Sequence, residues 1–267
     1  MGVGLLALLL AVAVAIVIVV SSRDPDDQPG DPNPRASVVI AALGDSYMAG
    51  EGAERYLRGT DDPATNECRR ATTAYPYVVA RELHASLLFA ACSGARTRHV
   101  ISVGQFPKST GTVLGARPQI EALDDAPRLR AALLGIGGND AGFGEIGRSC
   151  ALPLAPDCRR SAQAWIDRLE TEVFPALVET YQAVRRDAGP ADVFALTYPN
   201  AIGPESCNDI ALNEAELSFL RDVFVVRLNE IVGAAARAAG IRLINLDDTL
   251  RGHRLCEVPL PRAAVNF

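Results

Sequence analysis

The stretch AALGDSYMAGEGA, residues 41–53, places a serine directly after an apolar run. Residues 38–43 are short, apolar and partly β-branched, which is typical of a buried strand. Gly44 permits a tight exit from that strand, and Ser46 follows just past its end. Ligands bind at this edge of open α/β sheets, so Ser46 is placed like a nucleophile. A serine in a glycine-rich turn can also be only a turn former, and this stretch alone leaves both interpretations open.

Two more glycine-bearing stretches, CSGA at 92–95 and GGND at 137–140, each follow a predicted strand. In a parallel sheet both would meet Ser46 at the carboxyl edge. A serine can attack a carbonyl carbon, while backbone N–H groups and the Asn139 amide can stabilise the resulting oxyanion. The three stretches together predict acyl-transfer chemistry. Taken singly, Asn139 and Gly94 are equally explained as turn residues, and Asp45 is expected to make local turn hydrogen bonds.

Apolar runs alternate with helical patterns along the rest of the chain. This alternation is typical of a parallel, doubly wound α/β sheet. Ser161 is expected to cap one helix, and Gly240 to close the last one. The predicted strands are 38–43, 87–91, 131–135, 193–197 and 242–246, and the predicted helices are 75–84, 161–187 and 213–239.

The segments LGDSYMAGEGA, FAACSGART and LGIGGNDAGF resemble blocks I, II and III of the SGNH, or GDSL, hydrolases. NECRRATTAYPYVVARE and RGHRLCE also resemble the secreted bacterial lipases and esterases of that family, and the likeness covers residues 38–265. The resemblance implies a flavodoxin-like three-layer α/β/α sandwich with a five-stranded parallel sheet. It also implies an ester hydrolase, acting on small-molecule or lipid esters with no cofactor and no metal.

The same resemblance assigns roles to individual residues. It makes Ser46 the nucleophile, and it makes the backbone N–H groups of Ser46 and Gly94 and the side chain of Asn139 the oxyanion donors. The family's catalytic histidine lies in a late D-x-x-H or H-P block, which none of the three histidines of this chain matches. His253 in GHRLC is the nearest candidate for the base. It matches a structural position of the family, however, and we expect it to be structural.

The missing histidine block leaves two interpretations, a C-terminally incomplete domain or a lost or replaced base. We favour the incomplete domain, because the helix expected after the fifth strand is missing too. One face of the sheet would then lack part of its cover. The alternative functions are a non-catalytic lipid- or glycan-binding module with the same cleft, or an inactive fragment.

The N-terminal part of the chain predicts export. Residues 2–20 are uninterruptedly apolar and long enough to span a bilayer. An uncleaved membrane anchor is favoured over a cleaved signal, since no basic residue precedes the run. Residues 21–36 are rich in Pro and Asp and predict a solvated linker, which leaves residues 37–267 as the hydrolase domain. The protein is therefore expected outside the cytoplasm, membrane-anchored or secreted.

Six cysteines behind an export segment predict disulfides and an oxidising compartment. Metal binding is disfavoured, because no C-x-x-C pair is present and histidines are few. The layout of the loops favours bridges between cysteines that are neighbours in sequence, and the related lipases have the same pattern. The predicted pairs are Cys68–Cys92, Cys150–Cys158 and Cys207–Cys256.

Charge and length limit the possible partners. The net charge of -6 and the pI near 5.2 argue against nucleic acid as a partner. The 267 residues suffice for one α/β domain with a sizeable core. We expect a monomer.

Overall fold

Five parallel strands form the sheet that carries the predicted site. The computed structural model describes residues 38–53, 55–105, 117–126, 128–146, 162–204 and 212–259. The strand order is β2-β1-β3-β4-β5, which is the flavodoxin-like order and confirms the predicted fold class. The strands are β1 (Val39–Gly44), β2 (Ser86–Phe89), β3 (Leu129–Gly135), β4 (Asp192–Leu196) and β5 (Arg242–Ile244).

The helices follow the predicted alternation with strands. The segment predicted as one helix over 161–187 is helical from Ala162 to Asp187, with a π-helical turn at Leu169–Val173. A second π-helical turn, Phe219–Phe224, interrupts the last helix in the same way. The α-helices are α1 (Ser46–Ala49), α2 (Tyr75–Glu82), α3 (Thr97–Ile101), α4 (Ala162–Arg168), α5 (Phe174–Asp187), α6 (Glu214–Ser218) and α7 (Val225–Ala239), and Gln119–Asp125 form a 3₁₀ helix.

Strand β1 is buried on both faces of the sheet. Its side chains alternate, so that Ala41 and Leu43 enter one hydrophobic core and Ile40 and Ala42 enter the other. Burial on both faces is the expected environment of a central parallel strand. The first core contains Leu177 and Tyr181 of α5 and Leu228 and Val232 of α7, and the second contains Val79 and Ala80 of α2 together with Met48 and Ala49 of α1.

The expectation that one face of the sheet would lack cover is wrong for the strands themselves. Phe194, Leu196 and Ile244 lie on the face opposite α5 and α7, and they are 0%, 3% and 6% exposed. Within the described residues that follow β5, no helix is present, and 247–259 form turns and isolated bridges. These strand side chains are therefore covered, and the incomplete domain stays a prediction.

One of the two predicted helix caps, Gly240, lies in the described part of the chain. Gly240 closes α7 in the left-handed conformation, with φ 67°, as predicted. Asn213 caps α6, where its side chain accepts a hydrogen bond from the backbone N–H of Glu216. Ser161, the other predicted cap, lies outside the described residues.

The predicted anchor and linker, residues 2–20 and 21–36, lie outside the described part of the chain. Among the helices of the described ranges, none has the length and apolar character that a membrane span needs.

Candidate active site

The serine turn begins where β1 and β3 run side by side, at the point where the strand order of the sheet reverses. Gly44 is paired with Gly135 across the two strands and has a φ of 143°. A Cβ added to Gly44 would lie 2.0 Å from the carbonyl oxygen of Gly135, so only glycine fits here. The buried side chain of Gln119 accepts from the Gly44 N–H at 2.7 Å and donates to its carbonyl at 2.9 Å. The end of β1 is thereby held from two sides.

Asp45 fixes the conformation of the turn that presents Ser46. It is the N-cap of α1, and its Oδ1 accepts from the backbone N–H of Tyr47 at 3.1 Å, which confirms the predicted local hydrogen bond. Ser46 is the first residue of α1 and is partly exposed. Within the described ranges, neither its hydroxyl nor its backbone N–H has a hydrogen-bond partner. Both groups are therefore available to a substrate.

The carboxyl of Asp45 is also bonded across the site. Its Oδ2 accepts from the hydroxyl of Tyr198, which follows β4, at 2.5 Å. Burial raises the pKa of Asp45 to about 7, a rise that the Tyr198 and Tyr47 hydrogen bonds partly oppose. Burial also raises the pKa of the Tyr198 hydroxyl, and the adjacent Asp45 adds to the rise.

Gly94 occupies a turn that is cross-linked on several sides. It has a φ of 75°, and its backbone N–H has no hydrogen-bond partner among the described residues. The neighbouring Cys92 is bonded to Cys68, and the Ser93 N–H donates to the Cys68 carbonyl at 3.0 Å. The Ser93 hydroxyl donates to Glu51 at 2.5 Å. These bonds hold the Gly94 N–H in one place relative to β2.

Asn139 is bonded directly to the Gly94 turn. One Nδ2 hydrogen is donated to the carbonyl of Ala95 at 2.9 Å, which leaves the second hydrogen of that amide for another acceptor. The next residue, Asp140, accepts from the backbone N–H and the hydroxyl of Thr97, at 3.0 and 2.7 Å. The turns after β2 and β3 thus form one hydrogen-bonded unit, as their convergence at the sheet edge predicted.

Tyr198 is the residue of this site that the sequence did not indicate. Its hydroxyl accepts from the backbone N–H of Gly138 at 2.8 Å while donating to Asp45. It therefore connects the turn after β1 with the turn after β3. The only signal in the sequence is a tyrosine before a proline at the end of the fourth predicted strand, in LTYPN.

None of the three histidines is bonded to Ser46. His84 is exposed and lies just before β2, at the opposite edge of the sheet. Nδ1 of His99 accepts a hydrogen bond from the Arg96 backbone N–H, and Nε2 lies 3.3 Å from Nε of Arg98. Burial and these two arginines lower its pKa to about 4. His253 lies in the turns after β5, where its backbone N–H donates to Leu250.

The structure confirms the predicted Cys68–Cys92 disulfide. Cys256 is also disulfide-bonded. Cys150, Cys158 and Cys207 lie outside the described residues, so the other two pairings stay predictions. Within the described ranges, no cluster of histidine, cysteine and carboxylate side chains is suited to hold a metal ion.

Sequence comparison relates the chain to known lipases. Residues 42–260 match the model of the GDSL-like Lipase/Acylhydrolase family. Lipase 1 of Streptomyces coelicolor is 31% identical over 235 residues, covering 84% of this chain and 75% of that protein. A lipase of Streptomyces rimosus is 30% identical over 220 residues, covering 80% of this chain and 72% of that protein.

Solved structures also relate the chain to lipases of Streptomyces. The phospholipase A1 of Streptomyces albidoflavus NA297 superposes with a TM-score of 0.66 at 27% identity, covering 86% of this chain and 90% of that one. The extracellular lipase of Streptomyces rimosus superposes with a TM-score of 0.67 at 26% identity, covering 86% and 93%.

The five-stranded parallel sheet and these relatives define the class of the protein, a carboxylic ester hydrolase with an α/β fold. The chain belongs to the GDSL-like lipase/acylhydrolase family.

Proposed function

We propose that the protein hydrolyses carboxylic esters with Ser46 as the nucleophile. The Ser46 hydroxyl attacks the carbonyl carbon and releases its proton to a base, and the carbonyl oxygen becomes an oxyanion. Collapse of this tetrahedral intermediate breaks the bond to the leaving oxygen, which takes the proton from the base and departs as the alcohol, and an acyl ester remains on Ser46. Water then hydrolyses that ester through a second oxyanion and frees the serine.

The oxyanion is held by three N–H donors, from the backbones of Ser46 and Gly94 and from the side chain of Asn139. The observation that carries this proposal is the hydrogen bond from Asn139 to the Ala95 carbonyl, next to Gly94. It leaves one amide hydrogen of Asn139 unused, beside a glycine N–H that has no partner among the described residues. Fixed donors of this kind stabilise an oxyanion without reorganising during the reaction.

Lipid esters are the proposed substrates. The relatives named above are lipases and a phospholipase A1. Phe143 is 50% exposed on the turn that carries Asn139, and its backbone N–H is bonded to the Gly138 carbonyl at 2.9 Å. An exposed aromatic ring four residues after Asn139 offers apolar surface to an acyl chain.

The proposed location is extracytoplasmic. The Cys68–Cys92 disulfide fits an oxidising compartment. The Streptomyces rimosus relative is described as an extracellular lipase. In this proposal the apolar residues 2–20 direct export, as an anchor or as a cleaved signal.

A second candidate function is a non-catalytic lipid- or glycan-binding module. The observation that favours it is that none of the three histidines is hydrogen-bonded to Ser46. An unassisted serine hydroxyl is a poor nucleophile, so a module that lacks a base would bind an ester without cleaving it.

The two candidates are separated by p-nitrophenyl ester hydrolysis and by labelling with a fluorophosphonate. We expect Ser46→Ala to abolish both. Ser102→Ala is the matched control, because Ser102 ends α3 and bonds only the Arg98 carbonyl with its hydroxyl. Hydrolysis or labelling that survives Ser46→Ala contradicts the proposal. Ester binding with no hydrolysis by the parent favours the binding module.

A further inference from the structure

Tyr198 occupies a single position between the two turns of the site. The hydroxyl donates to Oδ2 of Asp45 at 2.5 Å and accepts from the N–H of Gly138 at 2.8 Å. Asp45 immediately precedes Ser46, and Gly138 immediately precedes Asn139. One oxygen atom therefore joins the side chain of the residue before the proposed nucleophile to the backbone of the residue before the proposed oxyanion donor.

The backbone of Tyr198 is itself held by α7. The side chain of Asn229 accepts from the Tyr198 N–H at 2.9 Å and donates to the Tyr198 carbonyl at 2.8 Å. The same amide is within 3.4 Å of Asp247, beyond β5. The backbone of Tyr198 is thus bonded through both its N–H and its carbonyl.

The ring is also enclosed by its neighbours. Its centroid lies 6.1 Å from that of Tyr47, the residue after Ser46. A Cβ added to Gly138 would come within 3.1 Å of the Tyr198 hydroxyl, so the absence of a side chain at Gly138 allows the close approach. Both turns are therefore packed against Tyr198 as well as bonded to it.

We propose that Tyr198 is a positioning residue that sets the spacing between Ser46 and Asn139 for attack and oxyanion stabilisation. This inference rests on the proposed function. Tyr198 acts through Asp45 and Gly138, whose two hydrogen bonds fix the turns after β1 and β3. A change in this spacing leaves the substrate bound but moves the oxyanion away from its donor, which penalises the transition state selectively.

The test is Tyr198→Phe, which keeps the ring and removes the hydroxyl. Tyr181→Phe is the matched control, since Tyr181 is fully buried on α5 and its hydroxyl has no hydrogen-bond partner among the described residues. We expect kcat for a p-nitrophenyl ester to fall about 10- to 100-fold in Tyr198→Phe, with KM within about twofold of the parent. Tyr181→Phe should keep the parental kcat.

Three kinetic outcomes overturn the inference: a parental kcat in Tyr198→Phe, a loss confined to KM, or an equal loss of kcat in both variants. Ser46→Ala, measured alongside, keeps the two proposals apart. If Ser46→Ala is inactive and Tyr198→Phe is normal, only the positioning role fails. If Ser46→Ala remains active, the proposed function fails.

An NMR comparison tests the same inference without relying on turnover. In Tyr198→Phe, the resonances of the Ser46 backbone amide and the Asn139 side-chain amide should shift, and the Gly138 amide should exchange faster with solvent. In Tyr181→Phe these signals should remain at their parental positions. Unchanged Ser46 and Asn139 resonances in Tyr198→Phe would overturn the positioning role.

Discussion

Asp45 is a buried carboxyl whose charge opposes folding at neutral pH. Its pKa is raised by burial from an ordinary 3.8 to about 7 in the folded protein. Between these values the folded state keeps a proton that the unfolded chain has released. The free energy of unfolding therefore falls as the pH rises through this window, and the loss is complete above about pH 7.

Asp45→Asn removes this titration and tests its contribution. One pKa unit corresponds to about 1.4 kcal/mol. Between pH 4 and 7, the free energy of unfolding of the parent should therefore fall by up to about 4 kcal/mol relative to that of the variant. The measurement is urea unfolding at several pH values. Asp187→Asn, at an exposed carboxyl that ends α5, is the control. Parallel pH dependences of the parent and Asp45→Asn would show that Asp45 does not carry the effect.

Asn139 donates one hydrogen bond to the Ala95 carbonyl, and it is the proposed donor of a second one to the oxyanion. Asn139→Ala removes the proposed oxyanion donor together with the bond to the Ala95 carbonyl. We expect kcat to fall about 100- to 1000-fold, with KM little changed, because the donor acts mainly in the transition state.

The control for Asn139 is Asn213→Ala, which removes the N-cap of α6. It should lower the free energy of unfolding by about 1 kcal/mol and leave kcat at the parental value. An effect of Asn139→Ala on KM alone would reassign Asn139 to binding of the ground state.

At the scale of the elements, the close approach of β1 and β3 sets the geometry of the serine turn. In Gly44→Ala the new Cβ would clash with the Gly135 carbonyl, which is backbone and has no alternative rotamer. We expect a loss of more than about 3 kcal/mol in the free energy of unfolding. Gly59→Ala is the matched control, because Gly59 also has a positive φ, 77°, but has open space where a Cβ would lie. The free energy of unfolding of Gly59→Ala should fall by only about 1–2 kcal/mol. Equal losses in Gly44→Ala and Gly59→Ala would contradict the clash.

The Cys68–Cys92 bridge ties the turn after β2 to the preceding loop. The double variant Cys68→Ala/Cys92→Ala opens a loop with a sequence separation of 24 residues. We expect it to lower the free energy of unfolding by roughly 3 kcal/mol. It should also lower kcat, since Gly94 lies two residues from Cys92. A stability loss with unchanged kcat would mean that the remaining bonds of Ser93 are sufficient to hold Gly94.

The sequence predicted the long elements well because their burial pattern is repetitive. All five strands and the helices at 75–84, 161–187 and 213–239 were located within a few residues. It missed α3 and the 3₁₀ helix at Gln119–Asp125, which are too short to display a hydrophobic period. Their placement depends on tertiary bonds instead, such as those from Thr97 to Asp140 and from Gln119 to Gly44.

The candidate site was predictable where it consists of local motifs. The Ser46, Gly94 and Asn139 turns were identified from short segments, and the structure brings the last two into one bonded unit. Tyr198 was not predictable in the same way. Its partners Asp45 and Gly138 are 153 and 60 residues away in sequence, and no local pattern encodes bonds of that range.

For the molecule as a whole, the three histidines are the residues to test as the base for the proposed nucleophile Ser46. The chain spans about three quarters of the length of the Streptomyces coelicolor lipases to which it is similar. All three histidines of the sequence lie within the described residues, and none of them is bonded to Ser46.

We accordingly predict that none of the three histidines is the general base. Nδ1 of His99 already accepts from the Arg96 N–H, and the lowered pKa of His99 makes it a weak base. His84 lies at the opposite edge of the sheet. His253 lies in the turns after β5, which are tied to the Ala201 carbonyl by the Leu255 N–H. Changing each histidine to Gln should alter the rate of fluorophosphonate labelling of Ser46 less than about threefold, whereas loss of a true base costs about 100- to 10,000-fold. A loss of that size in His253→Gln alone would identify His253 as the base, reached by a rearrangement of the 247–259 turns.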